Sequence, residues 1–353
     1  MKIAISTCQT GMIESLSAMF SEHEWHILGI RRWAADWQFC MSVESGKFGR
    51  NVYNHFQDTE PIQQINIQEY DLLIDVAESN HYNPQWRETA SNWKIPRIRY
   101  ITNPCPKTTA LRWSERARNL LFKWTQAYLQ ATESIFQYYN QPNVKGSPIV
   151  YTNKQLEHDW GLEGRVIYFS HDEWGIGRWT GEEPIMICGK NGYYSWSKPP
   201  KGSRVEQVFA QLFAELGDQF YVHDSSIQPY EEIQWRDFVA KKRLWFEHDF
   251  GSTGRAFCQG VVKAMCLGLP VIAWRTKIGQ HYRFIDNYWD GLVTDDMHQC
   301  VTLAKHLLTD FKAAEEYSHN MIRLYNETLS WAVTKPKWKN AMDEAFVQYE
   351  AMA

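Results

Sequence analysis

The run Gly251-Ser252-Thr253-Gly254-Arg255 leads into residues 255–267, whose apolar spacing predicts an amphipathic helix, and Gly268-Leu269-Pro270 ends that helix before a short apolar strand at 270–274. A loop of small and hydroxyl residues feeding a helix N-terminus presents free backbone amides and a partial positive charge, which together hold phosphate oxygens. Gly251, Ser252 and Thr253 supply the loop, Arg255 a guanidinium able to grip an anion bidentately, and Cys258 and Gln259 amides in the same first turn. Lys263 is either a further cation for that anion or a solvated charge two turns into the helix. An ordinary Ser/Thr N-cap is the competing reading of the segment.

Other residues fit a phosphate or a reacting hydroxyl. Gly189 and Lys190 follow the apolar strand 185–188, and Lys198 lies in the aromatic loop beyond it. One such lysine on a diphosphate would stabilise a leaving nucleotide as charge develops. Gly11 opens a helix just after the first strand, where its amide either meets phosphate or simply serves a turn. Asp75 and Glu78 lie at and beyond the end of the strand 71–76, where a carboxylate could act as base toward an acceptor hydroxyl; a helix cap and a solvated charge are the alternatives.

These groups need a scaffold, and the element order predicts one. Strands are expected at 2–6, 26–30, 71–76, 97–102, 148–152 and 165–169, alternating with helices, and a second series follows at 185–188, 220–223, 244–246, 270–274 and 290–293. Helices are expected at 204–216, 230–240, 297–309, 313–329 and 337–352, the last starting after Pro336. This is an α/β pattern of two doubly wound, Rossmann-like domains. A chain of 353 residues also exceeds the size at which one core keeps growing. We expect domains at 1–175 and 176–330, with residues 331–353 returning to the first, and ligands in a cleft beyond the carboxyl ends of the strands.

Composition narrows the class. Seven scattered cysteines show no Cys-x-x-Cys pair, which fits free thiols in a reducing cytoplasm and no structural zinc. Nothing reaches the ~18 apolar residues of a membrane span. Net charge is −4, but residues 1–85 carry five Lys/Arg against eleven acids, and residues 86–150 ten against three. That basic region, with Arg97, Arg99, Lys107 and Arg112 among tryptophans 86, 93, 113 and 124, is either an acceptor surface for a polyanion such as double-stranded DNA or a solvated helix face.

The second half resembles the nucleotide-binding domain of GT-B glycosyltransferases. The resemblance rests on Val166–Asp172 at the crossing between domains, Ile185–Lys190 as first strand and phosphate loop, Lys263-Ala264-Met265-Cys266-Leu267-Gly268-Leu269-Pro270-Val271-Ile272, and Asp290-Gly291-Leu292-Val293. It implies a nucleotide-diphosphate sugar as co-substrate, an acceptor hydroxyl held by the first domain, and no separate cofactor or metal. The sequence departs where retaining members carry two glutamates, because Arg255 and Lys263 stand there and cannot accept from hydroxyls. A narrower resemblance to phage DNA glucosyltransferases comes from the opening Met1–Ile5 strand and the closing segment Thr334–Phe346. It implies a hydroxymethylated base in DNA as acceptor, with Asn103 where that family places its aspartate. The rival readings are a non-catalytic GT-B-like binder of nucleotide or nucleic acid, and a transferase with a carbohydrate acceptor.

Overall fold

The computed structural model describes residues 1–6, 10–28, 51–54, 65–77, 84–102, 105, 122–152, 154–190, 204–224, 232–249, 259–275, 293–294 and 296–352. The described residues form two compact units, with those of 1–168 and from Thr334 onward in unit 1, and those between Phe169 and Val333 in unit 2.

Unit 1 contains β1 (Lys2–Ile5), α1 (Thr10–Met19), β2 (Glu24–Ile27), β3 (Val52–Asn54), β4 (Leu72–Val76), α2 (Pro84–Ser91), β5 (Arg97–Ile101), α3 (Phe122–Tyr139), β6 (Ile149–Tyr151), α4 (Lys154–Trp160) and β7 (Arg165–Val166). Its strands are ordered β3-β2-β1-β4-β5-β6-β7, and all are parallel. Strands β4 and β5 are buried at every position, as a parallel sheet covered on both faces requires. The order runs one way from β1 to β3 and the other way from β4 to β7, so the topological switch lies between β1 and β4.

Unit 2 contains β8 (Glu183–Lys190), α5 (Arg204–Leu216), β9 (Phe220–Asp224), α6 (Glu232–Ala240), β10 (Lys242–Asp249), α7 (Gln259–Leu267), β11 (Val271–Arg275), β12 (Val293–Thr294), α8 (Met297–Thr309) and α9 (Phe311–Thr328). Its parallel sheet has the order β12-β11-β10-β8-β9, with the switch between β8 and β10. The mixed α/β architecture with two Rossmann-like sheets is that expected from the element order. Among the described residues, no helix is long and apolar enough to cross a membrane.

Two local stops place the later elements. Helix α7 ends in a Schellman arrangement, in which the Gly268 amide donates to Met265 O at 3.0 Å and the Leu269 amide to Ala264 O at 2.9 Å. Gly268 has φ of +81°, and a Cβ there would lie 2.8 Å from Ile322 and 3.0 Å from Ser318 Oγ, so both backbone and packing demand glycine. The last helix, α10 (Trp331–Met352), begins before Pro336 rather than after it. Asp172 explains the early start: its Oδ2 accepts the Trp331 amide at 3.0 Å, capping the helix from far away in sequence. From Thr334 onward α10 packs in unit 1, where Trp338 meets Tyr100 edge-on at 5.0 Å and Lys335 Nζ donates to Met19 O at 2.6 Å.

Candidate functional site

In open parallel sheets ligands gather at the carboxyl ends of strands beside the switch point. In unit 2 those ends carry the polar chemistry. β8 ends in Gly189 and Lys190, whose register partners on β9 are His223 and Asp224. β10 ends in Glu247-His248-Asp249, and His248 and Asp249 pair with Trp274 and Arg275 of β11. The strand interiors behind them are apolar: Met186, Ile187, Leu244, Phe246, Val271 and Ile272 are buried. His223 is fixed against Trp235, ring centroids 4.0 Å apart.

β10 ends at Asp249, and α7 begins at Gln259. Gly251, Ser252, Thr253, Arg255 and Cys258 therefore belong to the connection between the carboxyl end of β10 and the amino end of α7; their own placement lies outside the described residues, as does that of Lys198. Helix α7 itself is anchored on nearly all sides, with Val261, Val262 and residues 264–267 buried. Its last carbonyls are also satisfied, since the Gly177 amide donates to Cys266 O and the Trp179 amide to Leu267 O, each at 2.9 Å. Lys263 places its ammonium over the Trp174 ring, 4.5 Å from the centroid, a cation–π contact that neither expectation for it foresaw.

A second polar group in unit 2 centres on Asp172. Its Oδ1 accepts from the Tyr325 hydroxyl at 2.7 Å, and that hydroxyl oxygen in turn accepts the His171 amide at 2.7 Å. Burial, ahead of the neighbouring Cys266 and Asp172, raises the Tyr325 phenol well above its ordinary pKa, so it stays a donor. The His171 imidazole Nδ1 lies 2.5 Å from Glu173 Oε1. Sequence reasoning missed this arrangement, whose members are up to 159 residues apart.

Unit 1 has its own charged group, and it overturns two expectations. Asp75 is fully buried within β4, so it is not a base presented to an acceptor. Its Oδ1 accepts from Ser6 Oγ at 3.1 Å and Trp86 Nε1 at 3.3 Å, its Oδ2 accepts from the Tyr138 hydroxyl, and Arg97 Nη1 stands 3.5 Å away. Arg97, expected to meet an acceptor, is equally buried; Nη1 donates to the Tyr138 oxygen and Nη2 to Ala90 O, both at 2.6 Å. Burial also raises the Tyr138 phenol well above its ordinary pKa, which keeps the proton available to Asp75. Two charges inside adjacent strands of apolar residues must satisfy one another, and that pattern was the available sequence signal.

Arg99 is corrected in the same way. It is only 8% exposed, and its Nε and Nη2 both donate to Ser147 O, at 3.2 and 2.6 Å. Trp86 and Trp93, expected on a basic surface, pack edge-on at 5.4 Å inside the core. Arg97 and Arg99 therefore brace the sheet instead of forming a face. Gly11 is the second residue of α1, the helix that follows β1. Glu78, Asn103, Lys107 and Arg112 lie outside the described residues.

No protein-family profile matches the sequence, and no curated protein is similar to it at the sequence level. Solved structures are similar in fold. HepE from Anabaena, in complex with UDP and glucose, aligns at a TM-score of 0.59 and 12% identity, covering 97% of this chain and 99% of its own. Sucrose-phosphate synthase from Thermosynechococcus elongatus aligns at 0.56 and 11%, covering 98% and 99%. T4 phage BGT in complex with UDP-glucose aligns at 0.47 and 13%, too low to bear on the acceptor. Together with the two parallel sheets and their switch points, the likenesses to HepE and sucrose-phosphate synthase identify the fold as that of the GT-B glycosyltransferases.

Proposed function

We propose that the protein is a glycosyltransferase that moves a sugar from a nucleotide-diphosphate sugar to an acceptor hydroxyl, with the donor held by unit 2 and the acceptor by unit 1. The observation that carries this reading is the polar carboxyl edge of the unit 2 sheet at its switch point, from which the Gly251–Cys258 segment runs into α7. In the proposed mechanism, the amides at the start of α7 and the hydroxyls of Ser252 and Thr253 take the diphosphate oxygens. Arg255 and Lys190 neutralise the charge that grows on the leaving diphosphate as the glycosidic bond breaks, in place of a divalent ion. Gly11 is proposed to offer its amide to the same phosphates.

With Asp75 committed to Arg97 and Tyr138, Glu78, two residues past the end of β4, is the carboxylate left to take the acceptor proton. Lys107, Arg112 and Asn103 remain the proposed acceptor contacts, and hydroxymethylated double-stranded DNA is the polyanionic acceptor they would suit. The alternative reading, a binder without catalysis, is favoured by Arg255 and Lys263 standing where the retaining enzymes have glutamates.

Incubating the protein with a panel of nucleotide sugars, with and without hydroxymethylated DNA and simple glycosides, separates these readings. Acceptor-dependent release of free nucleotide is the expected result. Tight nucleotide binding with no release across the panel would establish the non-catalytic alternative.

A further inference from the structure

A cavity of about 560 Å³ opens within unit 1 where the amino ends of β6 and β7 meet one face of α10. This edge is opposite the carboxyl ends of the same unit 1 strands, and its lining holds no residue of the proposed donor or acceptor groups. Lys337, Asn340, Glu344 and Gln348 line it from the helix, at the spacing that puts them on one face. Arg99 of β5 and Arg165 of β7 line it from the sheet.

Three features of this lining are incomplete. Arg99 is a buried cation whose hydrogen bonds among the described residues all go to one carbonyl, Ser147 O, and no described carboxylate pairs with it. Its guanidinium also lies over the Tyr139 ring, 5.3 Å from the centroid, and burial lowers its pKa. Lys337 makes no ion pair among the described residues, while Arg165 is taken up by Glu344. Gln348 donates through Nε2 to Glu344 Oε1 at 2.9 Å, but its Oε1 is buried and accepts from nothing. A buried cation without an anion and a buried acceptor without a donor are both costly, and a ligand carrying both complements would satisfy them.

We propose that this cavity is a second ligand site, for a small phosphate monoester that also bears hydroxyls. Arg99 Nη1 and Lys337 take the phosphate oxygens, and Gln348 Oε1 and the outer lone pairs of Glu344 accept from the hydroxyls. The volume falls within the range of small-molecule pockets and exceeds what phosphate alone fills. The chemistry is complementary to a phosphate beside a polyol and poorly suited to an apolar ligand.

Calorimetric titration of the full chain with ribose 5-phosphate, inorganic phosphate and ribose, each in the presence of excess UDP, tests the proposal. One-to-one binding of ribose 5-phosphate is expected, with inorganic phosphate about tenfold weaker and ribose silent. Lys337→Glu, an exposed change, is expected to weaken ribose 5-phosphate at least about tenfold with the thermal melt unchanged. Arg99→Gln is expected to abolish binding; if that variant does not fold, Lys337→Glu alone decides. Absence of binding at millimolar concentration, equal affinity for inorganic phosphate, or unchanged affinity in Lys337→Glu would each overturn the proposal.

Discussion

The two sheets have the same parallel construction but place their charges differently. In unit 1, Asp75 and Arg97 sit inside strands and are spent on Tyr138, Ala90 and one another, while Arg99 rests on the Ser147 carbonyl. Small buried hydroxyls, Ser6, Thr102 and Thr152, stand just beyond β1, β5 and β6, and apolar Leu28, Ala77 and Ile167 just beyond β2, β4 and β7. In unit 2 the middles of the strands are apolar, and polar residues crowd the carboxyl edge as Lys190, His223-Asp224, Glu247-His248-Asp249 and Arg275. Charge in a strand interior must be paired at once and becomes architecture; the carboxyl ends of parallel strands are where ligands gather. The contrast makes unit 1 charges expensive for stability and unit 2 edge charges expensive for activity.

Substitutions can break that contrast. The largest effect is expected from Asp75→Ala, which leaves Arg97 buried without its carboxylate and should cost about 3–5 kcal/mol in urea unfolding. A cost below about 1 kcal/mol would mean the pair does not brace the sheet. Arg255→Ala is expected to do the reverse, lowering kcat/KM for the nucleotide sugar by about 10²-fold, or roughly 2.7 kcal/mol, with an unchanged melt. Equal loss of stability and activity would erase the proposed division.

Gly268→Ala comes next. The positive φ and the contacts with Ile322 and Ser318 predict a loss of about 1–3 kcal/mol, read by thermal unfolding. The smallest effect concerns reactivity. Burial on α8 pushes the Cys300 thiol up to about 12. At pH 8 it is thus almost wholly protonated, and iodoacetamide should leave it unmodified in the folded chain but not in urea, as read by peptide mass spectrometry. Rapid native alkylation would contradict the packing of α8 on the sheet.

How much of this was legible in the sequence depended on whether the signal was local. Helices α5 and α8 fall at the expected residues, because amphipathic spacing and a following Gly217 or a preceding Asp296 cap are local features. The stop at Gly268-Leu269-Pro270 is equally local. Strand β3 was missed because three residues carry no periodicity, and α2 because its sequence is polar and opens on proline. Strand β10 extends past the expected 244–246 because Lys242 and Arg243 are buried at its amino end. Lys242 pairs with Glu183, and Arg243 Nε donates to Gly181 O at 2.6 Å.

The site divides along the same line. Gly189 and Lys190, expected in a loop after the strand 185–188, are instead the last two residues of β8, whose pairing with β9 carries the strand past the apolar run. Asp75 and Arg97 look like chemistry in sequence because their partners, Ser6, Trp86 and Tyr138, are reached only through the fold. The Asp172 cap of α10 and the cavity facing Lys337 join segments more than 150 residues apart, and no local pattern encodes them.

Calorimetric titration of UDP into the wild-type chain and Arg255→Ala measures the diphosphate grip proposed at the head of α7. Saturable binding to the wild type, weakened at least about tenfold in the variant, is the predicted outcome. Identical affinity in both proteins, or no UDP binding to the wild type, would contradict it.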